Sequence, residues 1–289
     1  MPRESSVTKI SDEPLSTKPL VVFLLLDGWG IAPEGDGNAI GHKNSKTFSR
    51  LLSEYPAGVL RVGELSETRR YQILGANSQF TSYLAEQGVN QIYLTESEKS
   101  SAVLGCFVGS QNIHKVENRI ISSPVCDSYD VEPEMSLDEL GRATVKVIRE
   151  NNSGFILISI ANLDLVSLSG NLEIVKKTVA KVDSFLGKIT EEVLLKKGVL
   201  LISAAGGNVE RMFDVRTELV DKESTSNHVP LLVVGDDFKG RSLFDNDAPG
   251  GDLSLLEPQG GIEDISATLL GLLNLKKPEG FIGKNLLEK

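Results

Sequence analysis

Two aspartates stand at the ends of apolar runs of strand length. Asp27 follows Leu20 to Leu26 and opens the turn Gly28-Trp29-Gly30, and Asp164 follows the run 154–160 within Asn162-Leu163-Asp164. A carboxylate released from a buried strand into a tight turn can ligate a divalent cation or hydrogen-bond the turn's own backbone. Lys99 lies in Thr95-Glu96-Ser97-Glu98-Lys99, where an ammonium would neutralise a phosphate or pair with the neighbouring glutamates in solvent. Asn208 ends the small-residue turn Ala204-Ala205-Gly206-Gly207, which offers no titratable group. Ser224 and His228 stand just before another apolar run, at 229–234, His228 reading as a base or as a structural residue. Cys106 sits among apolar neighbours and reads as a core thiol rather than a nucleophile. The only histidines are His42, His114 and His228, three in all, too few for a histidine-rich metal centre.

Short apolar runs alternating with helical patterns must position these groups. Residues 20–26, 89–94, 102–108, 154–160, 198–203 and 229–234 have strand length, several without polar alternation, as in strands covered on both faces. Helical patterns fall at 44–54, 77–87, 136–150, 171–197 and 262–273. The longest carries Leu172, Val175, Val179, Val182, Leu186, Ile189 and Val193 as one stripe, with Gly198 as its stop. The alternation predicts an α/β fold, a mostly parallel central sheet with helices on both faces, whose ligands bind beyond the carboxyl ends of the strands.

The chain has 289 residues, 40% hydrophobic and 24% charged, which excludes disordered and fibrous classes. Forty acidic against thirty basic residues give a formal charge of −10, so neither nucleic acid nor an anionic membrane is expected as a partner. Two cysteines and the lack of a basic segment followed by an apolar core point to the cytoplasm. Residues 1–18, rich in Ser, Thr, Lys, Glu and Pro, read as a flexible N-terminal tail before a single domain at 19–289.

Together, Leu26-Asp27-Gly28-Trp29-Gly30, Gly35-Asp36-Gly37-Asn38-Ala39-Ile40, Thr95-Glu96-Ser97-Glu98-Lys99, Ser123-Pro124, Tyr129 to Ser136, Ala161-Asn162-Leu163-Asp164, Gly207-Asn208 with Glu210 and Met212, Asn227 to Val234 and Gly280 to Leu287 fall in one order. In that order they resemble the cofactor-independent (2,3-bisphosphoglycerate-independent) phosphoglycerate mutases of the alkaline-phosphatase superfamily. The resemblance implies an alkaline-phosphatase-like metalloenzyme domain. It also implies that the family's inserted phosphotransferase domain is absent, its gap falling around 63–89, together with the nucleophilic serine of a Ser-Glu-Val-Gly-His segment; neither Ser66 nor Ser78 has those neighbours.

By the same resemblance Asp27 and Asp164 match metal-binding aspartates, Lys99 an active-site lysine and Asn208 a ligand-binding residue. The family's histidine positions carry Ala102, Leu168, Gly206 and Ser224, and Ala205 stands where the family has an aspartate. Two aspartates without imidazoles would hold at most a weakly bound magnesium or manganese ion, so no cofactor is expected. The expected function is that of a pseudoenzyme that binds a protein partner or a small phosphorylated ligand, or that forms a homo-oligomer. The alternative is a residual metal-dependent phosphohydrolase or mutase that uses Asp27, Asp164 and Lys99 with a hydroxyl such as that of Thr95 or Ser224 as nucleophile.

Overall fold

The computed structural model describes residues 18–109, 113–213, 220, 224–242 and 251–288; the tail predicted at 1–18 lies, apart from Lys18, outside the described residues. The elements are β1 (Leu20–Leu26), α1 (Lys46–Glu54), β2 (Ala57–Arg61), α2 (Glu67–Leu74), α3 (Gln79–Glu86), β3 (Gln91–Glu96), α4 (Ser97–Phe107) and β4 (Val116–Ile121). Then follow α5 (Leu137–Glu150), β5 (Gly154–Ile160), α6 (Asn162–Ser167), α7 (Leu172–Leu195), β6 (Val199–Ser203), β7 (Val229–Val234), β8 (Gly260–Gly261) and α8 (Ile265–Leu272). They form one eight-stranded sheet in the order β4-β3-β5-β1-β6-β7-β2-β8.

Neighbouring strands run parallel from β4 to β6, while β7 is antiparallel to both β6 and β2. The mostly parallel sheet is as predicted, and the reversal has a local cause. The described parts of the connection, 204–213 and 224–228, lie at the end of the sheet where β6 stops, and β7 starts from that end and runs back. The same connection therefore lies beside the ends of β1 and β5, with Gly28 N donating to Gly206 O at 3.1 Å and Asn208 N to Gly28 O at 3.0 Å.

Every residue of β1 and β5 is buried, which requires cover on both faces of the sheet. Helices α1, α5 and α6 pack on α7, and α2 packs on α4. The apolar run 102–108, expected to be a strand, is instead the second half of α4. Its buried residues Val103, Cys106 and Phe107 are spaced three and four apart, a helical stripe that its uniformly apolar composition conceals. Strand β4 is missing from the sequence reading because Glu117, Asn118 and Arg119 interrupt its apolar character, and α2 because charged residues share its buried face.

Ser45 precedes α1 but makes no side-chain cap. The buried Asp183 of α7 caps that helix instead, accepting from Thr47 N and Phe48 N at 2.8 Å each. The contact satisfies free N–H groups and sets a negative charge at the positive end of the helix. Replacing Asp183 by Ala should cost about 2 kcal/mol, read as a lower urea midpoint with an unchanged slope.

Candidate active site

Asp27 and Asp164 meet at the carboxyl edge of the sheet. Asp27 ends β1 and is 3% exposed, and Asp164 lies in the first turn of α6 after β5. The turn between them needs glycine at position 28, where φ is +86° and a Cβ would come 2.9 Å from Asp164 N. Asn208 Nδ2 donates to Asp164 Oδ1 at 3.3 Å. Asp27, Asp164, Lys99 and Asn208 thus come together from four separate segments.

The solvated reading of Lys99 fails: it lies in the first turn of α4, 5% exposed, and its Nζ donates to Asp164 Oδ2 at 2.5 Å and to Glu67 Oε1. Burial opposes its charge, but Asp27 and Asp164 outweigh burial and hold its pKa above the ordinary lysine range. Burial pushes the Asp27 carboxyl up to about 7, while Lys99 pulls it the other way.

Three further residues of the site come from α2. Ser66 caps this helix, accepting from Arg69 N at 3.4 Å, and so sets where its first turn begins. Glu67, Arg70, Tyr71 and Leu74 then fall three and four apart on one face. Tyr71 is fully buried and donates its hydroxyl to Asp27 Oδ2. Burial, then the nearby Asp27 charge, raises the Tyr71 pKa, so the phenol stays a donor. Arg70 is 6% exposed and faces the carboxylates of Glu67, Asp164, Asp27 and Glu210, and its Nε has no hydrogen-bond partner. A Cβ at Gly206 would come within 2.0 Å of Arg70 Nη1, so the guanidinium lies directly against that glycine.

Glu210 braces the floor of the site, accepting from Asn208 N at 2.8 Å, Asn227 Nδ2 at 2.9 Å and Thr225 Oγ1. A Cβ at Gly207 would collide with its carboxylate and with Thr225, so that turn too is built around a buried side chain. The space left among Asp27, Glu67, Arg70, Asp164, Gly206 and Ser224 is about 10 Å³, room for one water at most.

The other candidates stand apart. Thr95 is buried within β3, its Oγ1 donating to Glu96 O at 3.3 Å, and Leu168 is 49% exposed. Ser224 is exposed and borders the residual space. Cys106 is buried, its Sγ 3.8 Å from Thr68 O. His42 lines a separate cavity of about 330 Å³ beside Trp29, with Nδ1 2.6 Å from Ser49 Oγ. His114 is exposed, and the backbone carbonyl of His228 accepts from Ile31 N at 2.8 Å.

These residues do not fit a resident pair of divalent ions. Among the described residues no group of three or more His, Cys, Asp or Glu side chains could hold a metal. Both aspartates already accept hydrogen bonds, Asp164 from the Lys99 ammonium, and the Arg70 guanidinium borders the space beside them where a cation would have to sit.

A mostly parallel sheet carrying its polar residues at the carboxyl edge defines an alkaline-phosphatase-like fold, and the comparisons agree. The model of the metalloenzyme superfamily matches residues 19–277, and the chain belongs to that superfamily. The 2,3-bisphosphoglycerate-independent phosphoglycerate mutase of Clostridioides difficile is 34% identical over 209 residues, 72% of this chain and 38% of the relative. That of Anaplasma phagocytophilum is 31% identical over 247 residues, 83% of this chain and 47% of the relative. The chain therefore spans less than half the length of these curated relatives. A protein in the alkaline phosphatase superfamily from Vibrio parahaemolyticus shares the fold, with a TM-score of 0.60 at 13% identity over 94% of this chain and 70% of that one. Phosphoglycerate mutase from Leishmania mexicana shares it with a TM-score of 0.57 at 20% identity over 70% of this chain and 38% of that one.

Sequence reasoning did not find Glu67, Arg70 and Tyr71. Their signal is the three-and-four spacing after Ser66, which marks a helical face once an arginine is admitted as buried.

Glu96, at the end of β3, gives the site region a pH dependence. Its Oε2 accepts from Ser123 Oγ at 3.1 Å and Ser136 N at 3.3 Å, and burial raises its pKa to about 7. A carboxyl whose folded pKa exceeds its unfolded value stabilises the fold at low pH and loses that contribution as pH rises through about 7. Melting temperature should fall between pH 5.5 and 8 by less in Glu96→Gln than in the wild type, with a remaining slope from Asp27; this is read by thermal melts at matched ionic strength.

Proposed function

We propose that the chain is a pseudoenzyme of the metalloenzyme superfamily, acting by binding a protein partner or a small phosphorylated ligand rather than by transferring a phosphoryl group. One observation carries the reading. The face of α2 formed by Glu67, Arg70 and Tyr71 fills the site between Asp27 and Asp164, leaving about 10 Å³.

Phosphoryl transfer needs room for the transferring group, a nucleophile in line with it, and positive charge free to follow the charge that develops. Lys99 has the right charge, but Asp164 and Glu67 already engage it. Of the hydroxyls weighed as nucleophiles, that of Thr95 is buried and bonded within its own strand. Of the positions that resemble metal ligands, Asp27 and Asp164 keep a carboxylate, while Leu168, Gly206 and Ser224 supply neither an imidazole nor a carboxylate.

Purified protein, assayed with 3-phosphoglycerate and with a generic phosphate monoester in the presence of manganese, cobalt or magnesium, should give no turnover above the blank. Melting temperature should be unchanged by millimolar manganese. Metal-dependent turnover together with stoichiometric bound metal, measured by elemental analysis, would overturn the proposal. Binding of a small ligand is read separately: a phosphorylated three-carbon acid present at a hundred times its Kd stabilises the fold by about 2.7 kcal/mol. That appears as a rise in melting temperature.

A further inference from the structure

Among the described residues the sheet ends on β4, whose only neighbour there is β3. Gln91 N donates to Lys115 O at 2.8 Å, and β4 pairs with β3 in parallel from Gln91↔Val116 to Glu96↔Ile121. Strand geometry then directs the N–H and C=O groups of the odd-numbered residues, Glu117, Arg119 and Ile121, toward β3. Those of Val116, Asn118 and Ile120 point away from the sheet. Such an edge is a template for another strand unless something guards it. Edges are often guarded by charges of one sign; this one carries Glu117 and Arg119, of opposite sign, on the same face and paired with each other at 2.6 Å while partly exposed.

We propose that β4 pairs antiparallel with β4 of a second copy, about a two-fold axis through Asn118, joining the two sheets into one. Register decides the occupant. In an antiparallel pair, outward-pointing residues must face outward-pointing residues. Centred on Asn118, that rule pairs Asn118 with its own copy and Val116 with Ile120 in hydrogen-bonded positions. Glu117 then stands opposite Arg119 of the other copy, twice, in the non-hydrogen-bonded positions where Cβ atoms lie about 5 Å apart. Sliding the pair by two residues in either direction sets Glu117 against Glu117 or Arg119 against Arg119, which repel. The six-residue strand is thus complementary to itself in backbone, charge and apolar contact in one symmetric arrangement. Ile120, 51% exposed, gains an apolar neighbour in Val116 of the other copy.

The edge is distant in the sheet from β1, so dimerisation and the loss of chemistry are separate statements that fail separately. The test is molar mass by light scattering and sedimentation as concentration rises from about 5 to about 300 µM, a range suited to a small, reversible interface. The wild type should move from monomer to dimer, and exchange at the Asn118 and Ile120 amides should slow as it does. Arg119→Glu and Glu117→Arg should each remain monomeric, with unchanged circular dichroism, because each leaves like charges opposed. An equimolar mixture of these two variants should dimerise, and so should the double variant Glu117→Arg/Arg119→Glu. A wild type that stays monomeric across the range, or a dimer that persists in both single variants, would overturn the proposal. If one single variant does not fold, the other and the double variant still decide.

Discussion

Negative charge brought together at the end of a buried sheet must be balanced. Asp27 and Asp164 arrive at the carboxyl edge because β1 and β5 are neighbours, and α2 adds Glu67 to them. A buried carboxylate without a partner costs several kcal/mol. Either an external cation or a side chain has to meet that cost, and here side chains do. Lys99 bonds Asp164 and Glu67, Tyr71 bonds Asp27, and Arg70 lies among all three carboxylates. The choice of counter-charge governs the rest, because a site neutralised from within keeps its positive groups engaged with its own carboxylates.

The chain path delivers these groups with few special devices. Ser66 starts α2 where its buried face meets the end of β1. The antiparallel return of β7 brings residues 224–228 to the same end as residues 204–213, where Glu210, Thr225 and Asn227 brace one another. Glycines at 28, 206 and 207 let backbone approach side chain closely enough for the floor to form. The site is therefore a packed, hydrogen-bonded end cap of the sheet, and its rigidity comes from the same contacts that close it.

Much of this was legible in the sequence, and what was not has physical causes. The buried strands β1, β5 and β7 show as uninterrupted apolar runs, and α7 as a long stripe, because burial on every side leaves one consistent pattern. Asp27, Asp164, Lys99 and Asn208 could be listed as neighbours because a parallel sheet gathers its strand ends at one edge. Helix α2 was hidden because its buried face, Arg70, Tyr71 and Leu74, carries an arginine and is edged by the exposed Glu67, types that read as surface until their partners are known. The second half of α4 read as a strand because a uniformly apolar run carries no period. The polar β4 could not be distinguished from a loop, since its pairing with β3 is a property of the sheet and not of the segment.

The contact between Arg70 and Gly206 has a consequence for how such a site can change over evolutionary time. A guanidinium against the Cα of Gly206 leaves no volume for any side chain there, while an imidazole at that position would need the guanidinium gone. The two positions are far apart in the chain and belong to elements that fold against each other, so a larger side chain at 206 collides with Arg70, and removing Arg70 leaves the cluster of carboxylates less balanced. A single substitution at either position therefore gives a destabilised protein unless the other changes with it. Residues 70 and 206 are thus coupled by sterics and charge together.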